Sequence, residues 1–247
     1  MKRFLLIFLF SVGCVNAQNL KIEYERINKN SAGMFKDISD KEFKAKIKDQ
    51  FDQPEKLILY FLEGNTFFKN LSMPSVDYIG KSDRVDANTI KRKTGSYTKD
   101  DIKMYHIKGD KGLYQYKKYG DDEFYHYAVP NFDKIEYKED TDLIEKYKCK
   151  LVEVTIKGNL FKVWYTEDVP VSAGPYMFYS FPGLVLKIDS SSYIVYATKI
   201  SNEGKKSEFE ILDPKLKILN DAEFNKQRNE FLEDAKKVKE VREEIHL

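Results

Sequence analysis

The sequence predicts a mainly β fold of the α+β kind. It is a curved antiparallel sheet or open barrel with one short helix in the N-terminal half and an amphipathic helix at the C-terminus. Three observations predict it. Apolar residues alternate with polar ones in many short runs punctuated by glycine. Tyr and Phe supply seventeen residues each, an aromatic load suited to sheet faces that need large side chains. Only two segments carry a helical period.

Leu20, Ile22 and Tyr24 alternate with Lys21, Glu23 and Glu25, the pattern of a half-buried first strand. Ser39 to Glu42 reads as a capping box, with Ser39 at the cap and Glu42 three residues on. Phe43, Ile47 and Phe51 then recur every four residues on one helix face, and Pro54 ends the helix. Leu57 to Leu62 and Thr66 to Phe68 read as two strands about a tight turn. The stretch from Met73 to Lys99 is polar and without period, so no element is expected there. Strands are expected at Ile102–Ile107, Leu113–Tyr119, Glu123–Val129 and Lys134–Tyr137, with Gly109, Gly112 and Gly120 between them.

The clearest hairpin joins Cys149–Ile156 to Leu160–Thr166 through Lys157-Gly158-Asn159, where Gly158 and Asn159 are suited to the positive φ such turns need. Leu184–Ile188, Tyr193–Ile200 and Glu208–Leu212 add three strands. Asn220 then caps a helix, with Glu223 reaching back. Phe224, Phe231, Ala235, Val238, Val241 and Ile245 mark its apolar face. Glu233 and Lys237 pair at i,i+4 on the other face.

The first residues read as an export signal. Met-Lys-Arg precedes an apolar run from Phe4 to Val12, too short to span a bilayer as a helix. Val15-Asn16-Ala17 places small residues before a cut at Gln18, so residues 1–17 are expected to be a signal peptide and 18–247 a single domain. The alternative is lipidation at Cys14, within Ser11-Val12-Gly13-Cys14. Either scheme implies an exported protein, periplasmic or associated with an outer membrane, with no transmembrane segment once the signal is gone.

Composition excludes several classes. Removing Lys2 and Arg3 lowers the basic count from forty-two to forty, which equals the acidic count. A neutral chain lacks the basic footprint of a nucleic-acid binder, and Lys91-Arg92-Lys93 reads as a solvated turn. One cysteine, Cys149, remains after cleavage at Ala17, so no disulfide framework supports the fold. Cys149 falls among apolar strand neighbours and reads as a buried, inert thiol.

No nucleophile elbow, metalloprotease helix, Cys-x-x-Cys, phosphate loop or dinucleotide fingerprint occurs. His106 and His126 each sit among tyrosines and read as members of an aromatic sheet face, with a metal or ligand pair as the alternative. Glu139, Asp140, Asp142 and Glu145 lack the glycine and spacing of a calcium loop. Asp121, Asp122 and Glu123 are adjacent in sequence, so their carboxylates point apart. No catalytic residue, cofactor or metal is expected, and the chain is expected not to be an enzyme.

One stretch carries special backbone demands. Tyr147-Lys148-Cys149, the run Trp164-Tyr165-Thr166-Glu167-Asp168-Val169-Pro170-Val171, then Gly174-Pro175, and Ser180-Phe181-Pro182-Gly183-Leu184-Val185-Leu186 follow in order. This ordered set resembles the GLPGLI family of exported Bacteroidota proteins, whose namesake hexapeptide appears here as Ser-Phe-Pro-Gly-Leu-Val. The resemblance implies an envelope protein of a Gram-negative cell, and it transfers no catalytic role.

Physically, Pro182 and Gly183 suit positions two and three of a type II turn from Phe181 to Leu184, with Gly183 at positive φ. Gly174-Pro175 forces another bend. Gly174, Pro175, Pro182, Gly183 and Leu184 read first as a rigid structural connection. The functional alternative has that connection present Tyr176, Phe178 and Phe181, together with Trp164, as a ligand or partner surface.

The expected function is a non-enzymatic binding module for a hydrophobic or peptide ligand. The alternative is an accessory partner of an outer-membrane transporter or an exported peptidase.

Overall fold

A computed structural model describes residues 19–29, 35–36, 38, 40–84, 90–99, 101–202 and 204–244. The side chains of 78–84, 90–96 and 235–244 lie outside that set. The expected signal peptide, the Cys14 alternative, Ser39 and the Glu233–Lys237 pair therefore fall outside what is described.

The chain is mainly β. Among the described residues twelve strands form one sheet, and two more pair separately. In chain order they are β1 (Leu20–Asn28), α1 (Lys41–Asp52), β2 (Glu55–Leu62), β3 (Asn65–Asn70), β4 (Val76–Arg84), β5 (Ile90–Tyr97), β6 (Lys103–His106), β7 (Leu113–Tyr119) and β8 (Asp122–Ala128). They continue with β9 (Lys134–Ile144), β10 (Tyr147–Ile156), β11 (Asn159–Thr166), β12 (Leu184–Ser190), β13 (Tyr193–Ser201), β14 (Lys217–Leu219) and α2 (Asp221–Glu244). The large sheet runs β14-β8-β7-β6-β3-β2-β1-β13-β12-β11-β10-β9. Each of its pairs is antiparallel except β14 with β8.

Alternation along the strands makes two cores, because successive side chains point to opposite faces. Leu20, Ile22 and Tyr24 of β1, with Leu57, Leu59 and Phe68, belong to the large core. Ile58, Tyr60, Phe67, Tyr105 and Tyr125 belong to a smaller aromatic core. The β13–β14 connection, through Phe209, Leu212 and Leu216, packs against this second core. Glu210 on the same connection bonds Lys69 and Lys103.

The large core also contains Val152, Val163 and Leu186 of β10, β11 and β12. In sheet order β3 and β10 stand six strands apart, about 29 Å in a flat sheet at roughly 4.8 Å per strand. Sharing one core requires the sheet to curve and something to fill its concavity. The β11–β12 connection, 167–183, fills it. Tyr176 packs edge-on against Phe68 of β3 at 4.9 Å, and Tyr179 stacks on His106 of β6 at 4.2 Å. Phe178 meets Phe161 and Phe181 meets Tyr165, both on β11, at 5.5 and 6.1 Å.

Several local expectations change. Asp40 caps α1, its carboxylate accepting from the amides of Glu42 and Phe43. Aspartate is as good an N-cap as serine and sits one residue nearer the first turn. The 73–99 stretch forms the β4–β5 hairpin, its ladder made by backbone that a polar sequence does not advertise. Lys91-Arg92-Lys93 accordingly lies on β5 and not in a turn. Glu208–Leu212 forms no strand. A short 3-10 turn at 206–208 leads into an irregular crossing, because this segment covers the aromatic core instead of joining the ladder. Strand β14 was not expected, being only three residues long.

At the β10–β11 hairpin the positive φ values fall on Lys157 and Gly158, 49° and 76°, so the turn sits one residue earlier than expected. Asn220 does cap α2: its side chain accepts from Ala222 and Glu223, and Glu223 accepts from the Asn220 amide.

Candidate functional site

The glycines of the 167–183 connection serve close approach, not turn geometry. Gly183 has no positive φ, which overturns the type II turn expected at 181–184. A Cβ there would lie 2.0 Å from the Thr166 carbonyl oxygen, and one at Gly174 would lie 2.0 Å from that of Phe178. The backbone runs so close to β11 and to itself that only a missing side chain fits. Leu184 is fully buried and donates its amide to the Val169 carbonyl. Pro175 is buried and Pro182 exposed.

Of the four residues expected on a presented surface, Phe178 and Phe181 are 1% exposed each and belong to the core. Phe181 lies wholly within that core, and Phe178 adds only to the wall of a small apolar pocket. Trp164 is half-buried on β11, with the Lys187 ammonium 5.9 Å above its ring. Tyr176 differs from the other three. It holds φ at +56°, a conformation that costs a non-glycine residue free energy. Its hydroxyl lies 3.4 Å from Nη1 of Arg26.

That contact opens onto a charged cluster at the end of β1 and β2. Arg26 and Glu55 are register partners across the two strands, at inward positions continuing Leu20-Ile22-Tyr24 and preceding Leu57-Leu59. Glu55 is 4% exposed. Its carboxylate accepts from Asn70 Nδ2 at 3.1 Å and stands 3.9 Å from Arg26 Nη1. Asn70 Oδ1 in turn accepts the Ile102 amide at 2.8 Å. The Arg26 guanidinium stacks 4.6 Å over the Tyr193 ring. Burial raises the Tyr176 phenol well above the ordinary range, against the lowering effect of Arg26.

Lys99, just beyond β5, adds a second cation. Its Nζ and the Nε of Arg26 are both buried without a hydrogen-bond partner among the described residues. Desolvation holds the Lys99 ammonium below its usual pKa; Glu55 opposes that shift and Arg26 adds to it.

These groups line a cleft of about 460 Å³, walled also by Phe51 of α1, Tyr97 and Met104. Asn28 fixes the end of α1 beside it by donating to the Phe51 carbonyl at 3.0 Å. Met104 and Gln115 also wall an adjoining apolar pocket of about 200 Å³, lined by Tyr176, Met177, Phe178 and Tyr193. The arrangement is thus a cationic cleft beside a pocket sized for one apolar side chain.

The remaining candidates lie apart from this cleft. His106 and His126 are separated by β7. His106 Nε2 is 3.0 Å from the Asp110 carbonyl oxygen, and His126 Nε2 is 2.7 Å from Asp221 Oδ1, its ring stacked on Phe224 at 4.0 Å. Both are members of aromatic faces, as the sequence suggested. Cys149 is buried, and burial pushes its thiol up to about 11. Glu139, Asp140 and Asp142 are exposed on the edge strand β9, and Glu145 is exposed in the turn after it. Glu123 pairs with Lys118 at 2.8 Å, while Asp122 accepts from Gln227. Among the described residues no three His, Cys, Asp or Glu side chains are grouped to hold a metal ion. No described helix is long and apolar enough to cross a membrane.

Sequence reasoning missed Arg26, Glu55 and Lys99. A signal existed for Arg26, a charged residue continuing the alternation of Leu20, Ile22 and Tyr24, while Glu55 precedes a continuous apolar run that marks no face. Nothing local marks Lys99.

Residues 128–226, less than half of the chain, match the PNGase F-II N-terminal domain family, described as "N-glycanase peptide, N-terminal domain". The matched stretch contains Tyr176 and Tyr193 but not Arg26, Glu55 or Lys99. No curated protein matches the chain. Among solved structures it is similar to PNGF-II in a C2 crystal form, at 15% identity and a TM-score of 0.49 over 83% of this chain. A P21 form of PNGF-II gives 16% identity and the same TM-score and coverage. The chain spans about a third of the length of those proteins, 31% and 32%.

Proposed function

We propose that this chain is a non-catalytic, exported binding domain whose cleft between α1, the 97–99 segment and the facing strands β1, β2, β6 and β7 holds a glycopeptide or peptide ligand. The observation that carries this reading is the pair of buried donors without a partner among the described residues, Arg26 Nε and Lys99 Nζ, on the wall of an open cleft. An unmade hydrogen bond on a buried group costs about 1–3 kcal/mol, and a ligand acceptor would remove that cost.

The strained Tyr176 and the deeply buried Glu55 hold Arg26 in place, the over-determination expected of a preorganised site. The pocket of about 200 Å³ fits a single apolar side chain, which favours a residue over an acyl tail as the hydrophobic part of the ligand. The partial match to a domain named for an N-glycanase makes glycopeptides the first ligands to test. The signal-like sequence of residues 1–17 and the GLPGLI-like stretch support an envelope setting.

Isothermal titration with an N-glycopeptide, its deglycosylated peptide and the free glycan tests the reading. Saturable binding of at least one, with the ligand recovered intact by mass spectrometry, is the expected result. Absence of binding by all three would remove the binding reading, and a cleaved product would make the chain an enzyme.

The accessory-partner reading has its own observation. β9 is the outermost strand of the sheet, and Ile135, Tyr137 and Leu143 on it are 43%, 58% and 69% exposed. An edge with unpaired backbone and apolar side chains suits strand addition by another exported protein.

A further inference from the structure

We propose that the ligand of this cleft carries a carboxylate, seated between Arg26 and Lys99, and that Lys99 sets the preference for it. This deepens the binding reading above and rests on it.

The charges around the cleft do not balance. Arg26, Lys99, Lys103 and Lys117 line it against Glu55 and Asp101. Lys103 is engaged by Glu210 at 2.8 Å. At the buried end three charged groups of the described residues meet: Arg26, Lys99 and Glu55. Glu55 is taken up by Asn70 and by Arg26 Nη1. Among the described residues one positive charge is left over, on side chains that are half-buried.

Folding does not need that arrangement. A buried ammonium without a hydrogen-bond acceptor among the described residues opposes the folded state, since the charged form is penalised by lost hydration. An apolar residue at position 99 would pack against Phe51, whose ring lies 5.9 Å from the ammonium, at no such cost. The surplus is a single charge and so matches a monoanion. A phosphate, at close to two charges, would leave the pocket negative. Nε of the planar guanidinium and the ammonium are closed to solvent as they stand, and either side chain must turn toward the cleft to donate to a carboxylate's two oxygens.

The apolar pocket that shares Met104 and Gln115 with the cleft adds a second contact. It suits a carboxylate held a short distance from an apolar group, as at the C-terminus of a peptide. The rings of Phe51 and Tyr97 in the cleft wall suit the face of an acidic sugar. Both sources offer the same carboxylate, and the experiment separates them.

The test is calorimetric titration of the exported protein with two matched pairs of probes. One pair is a leucine-ended tripeptide with a free C-terminus and the same tripeptide as its amide. The other is a uronic-acid disaccharide and its methyl ester. The expected result is that the acid of at least one pair binds ten or more times tighter than its neutral counterpart, and that this preference weakens as salt rises. The pair that responds names the source.

Lys99→Met should abolish the preference while leaving the melting temperature unchanged or raised. Lys99→Arg should keep most of the preference. A lysine with only a structural role would lower the melting temperature on replacement and leave the acid-to-neutral ratio untouched.

Equal binding of acid and neutral probes, or an undiminished preference in Lys99→Met, would overturn the carboxylate assignment while the binding reading stands. If none of the four probes binds, the carboxylate assignment is overturned. If the glycopeptide, its peptide and the free glycan also fail, the binding reading falls with it.

Discussion

Gly183 and Gly174 act through what a side chain would strike. At Gly183 the obstacle is the Thr166 backbone, which belongs to β11 and cannot move without breaking the ladder to β12. Gly158 is the contrast, with φ at +76° and nothing within 4 Å of the place a Cβ would take. Gly158→Ala should cost about 1–2 kcal/mol for the left-handed backbone alone. Gly183→Ala, which must displace main chain, should cost more than about 3 kcal/mol, beyond the usual range of overpacking. Phe181→Ala should cost about 3–5 kcal/mol, the value for emptying a buried phenylalanine site. Urea midpoints of the three variants check the order. A Gly183 variant as mild as that at Gly158 would mean the connection is free to shift, and a mild Phe181 variant would return that residue to a surface role. The motif's importance was legible in the sequence, because Pro and Gly in that density demand an unusual path. Its reason was not, since contact between residues 183 and 166 is created only when β11 and β12 pair. The charged site follows the same rule: Arg26 breaks the alternation of β1, Glu55 precedes a continuous apolar run that marks no face, and their meeting depends on β1–β2 register.

At the scale of elements, what the sequence made plain were strands with one wet face and one dry face. Leu113–Tyr119 came out with the expected bounds, and β1, β2, β10, β11 and β13 within a few residues. The hairpin β4–β5 did not, because its residues lack the alternation that burial of one face imposes. Helix α2 shows how little of a long element holds it. Phe224 stacks on His126 at 4.0 Å and on Tyr119 at 6.2 Å, and Phe231 stacks on Tyr119 at 5.1 Å. Phe231 is still 41% exposed, so the grip is mainly that of Phe224 and the His126–Asp221 bond. Local opening follows the number of buried contacts. Phe224→Ala should therefore speed amide hydrogen exchange across 221–231 by tenfold or more and leave the exchange of β10–β12 unchanged. Exchange that rises equally in both regions would show that α2 and the sheet unfold as one unit.

For the molecule as a whole, the curved sheet gathers many phenols into buried or half-buried places. Burial pushes the hydroxyls of Tyr114 and Tyr179 up to about 12, and those of Tyr24, Tyr105 and Tyr176 further. The Cys149 thiol rises to about 11. The ordinary values are 10.0 for the phenols and 9.0 for the thiol. In each case the folded protein keeps a proton at a pH where the unfolded chain has released it. The stability these groups support is complete below the ordinary values and is lost as pH rises towards the raised ones. Lys99 acts in the opposite sense, since its lowered pKa means that alkali removes a buried charge, but it is one group against six. Stability should thus be nearly level up to about pH 9 and fall steeply between about pH 10 and 12. Tyrosinate absorbance near 295 nm and far-UV circular dichroism, followed together, test this. The buried phenols should ionise late and in step with loss of the β signal. If all seventeen tyrosines titrated near pH 10 with the sheet signal intact, water would have to reach the concave core, and the packing of Tyr24 and Tyr176 would be looser than the fold requires.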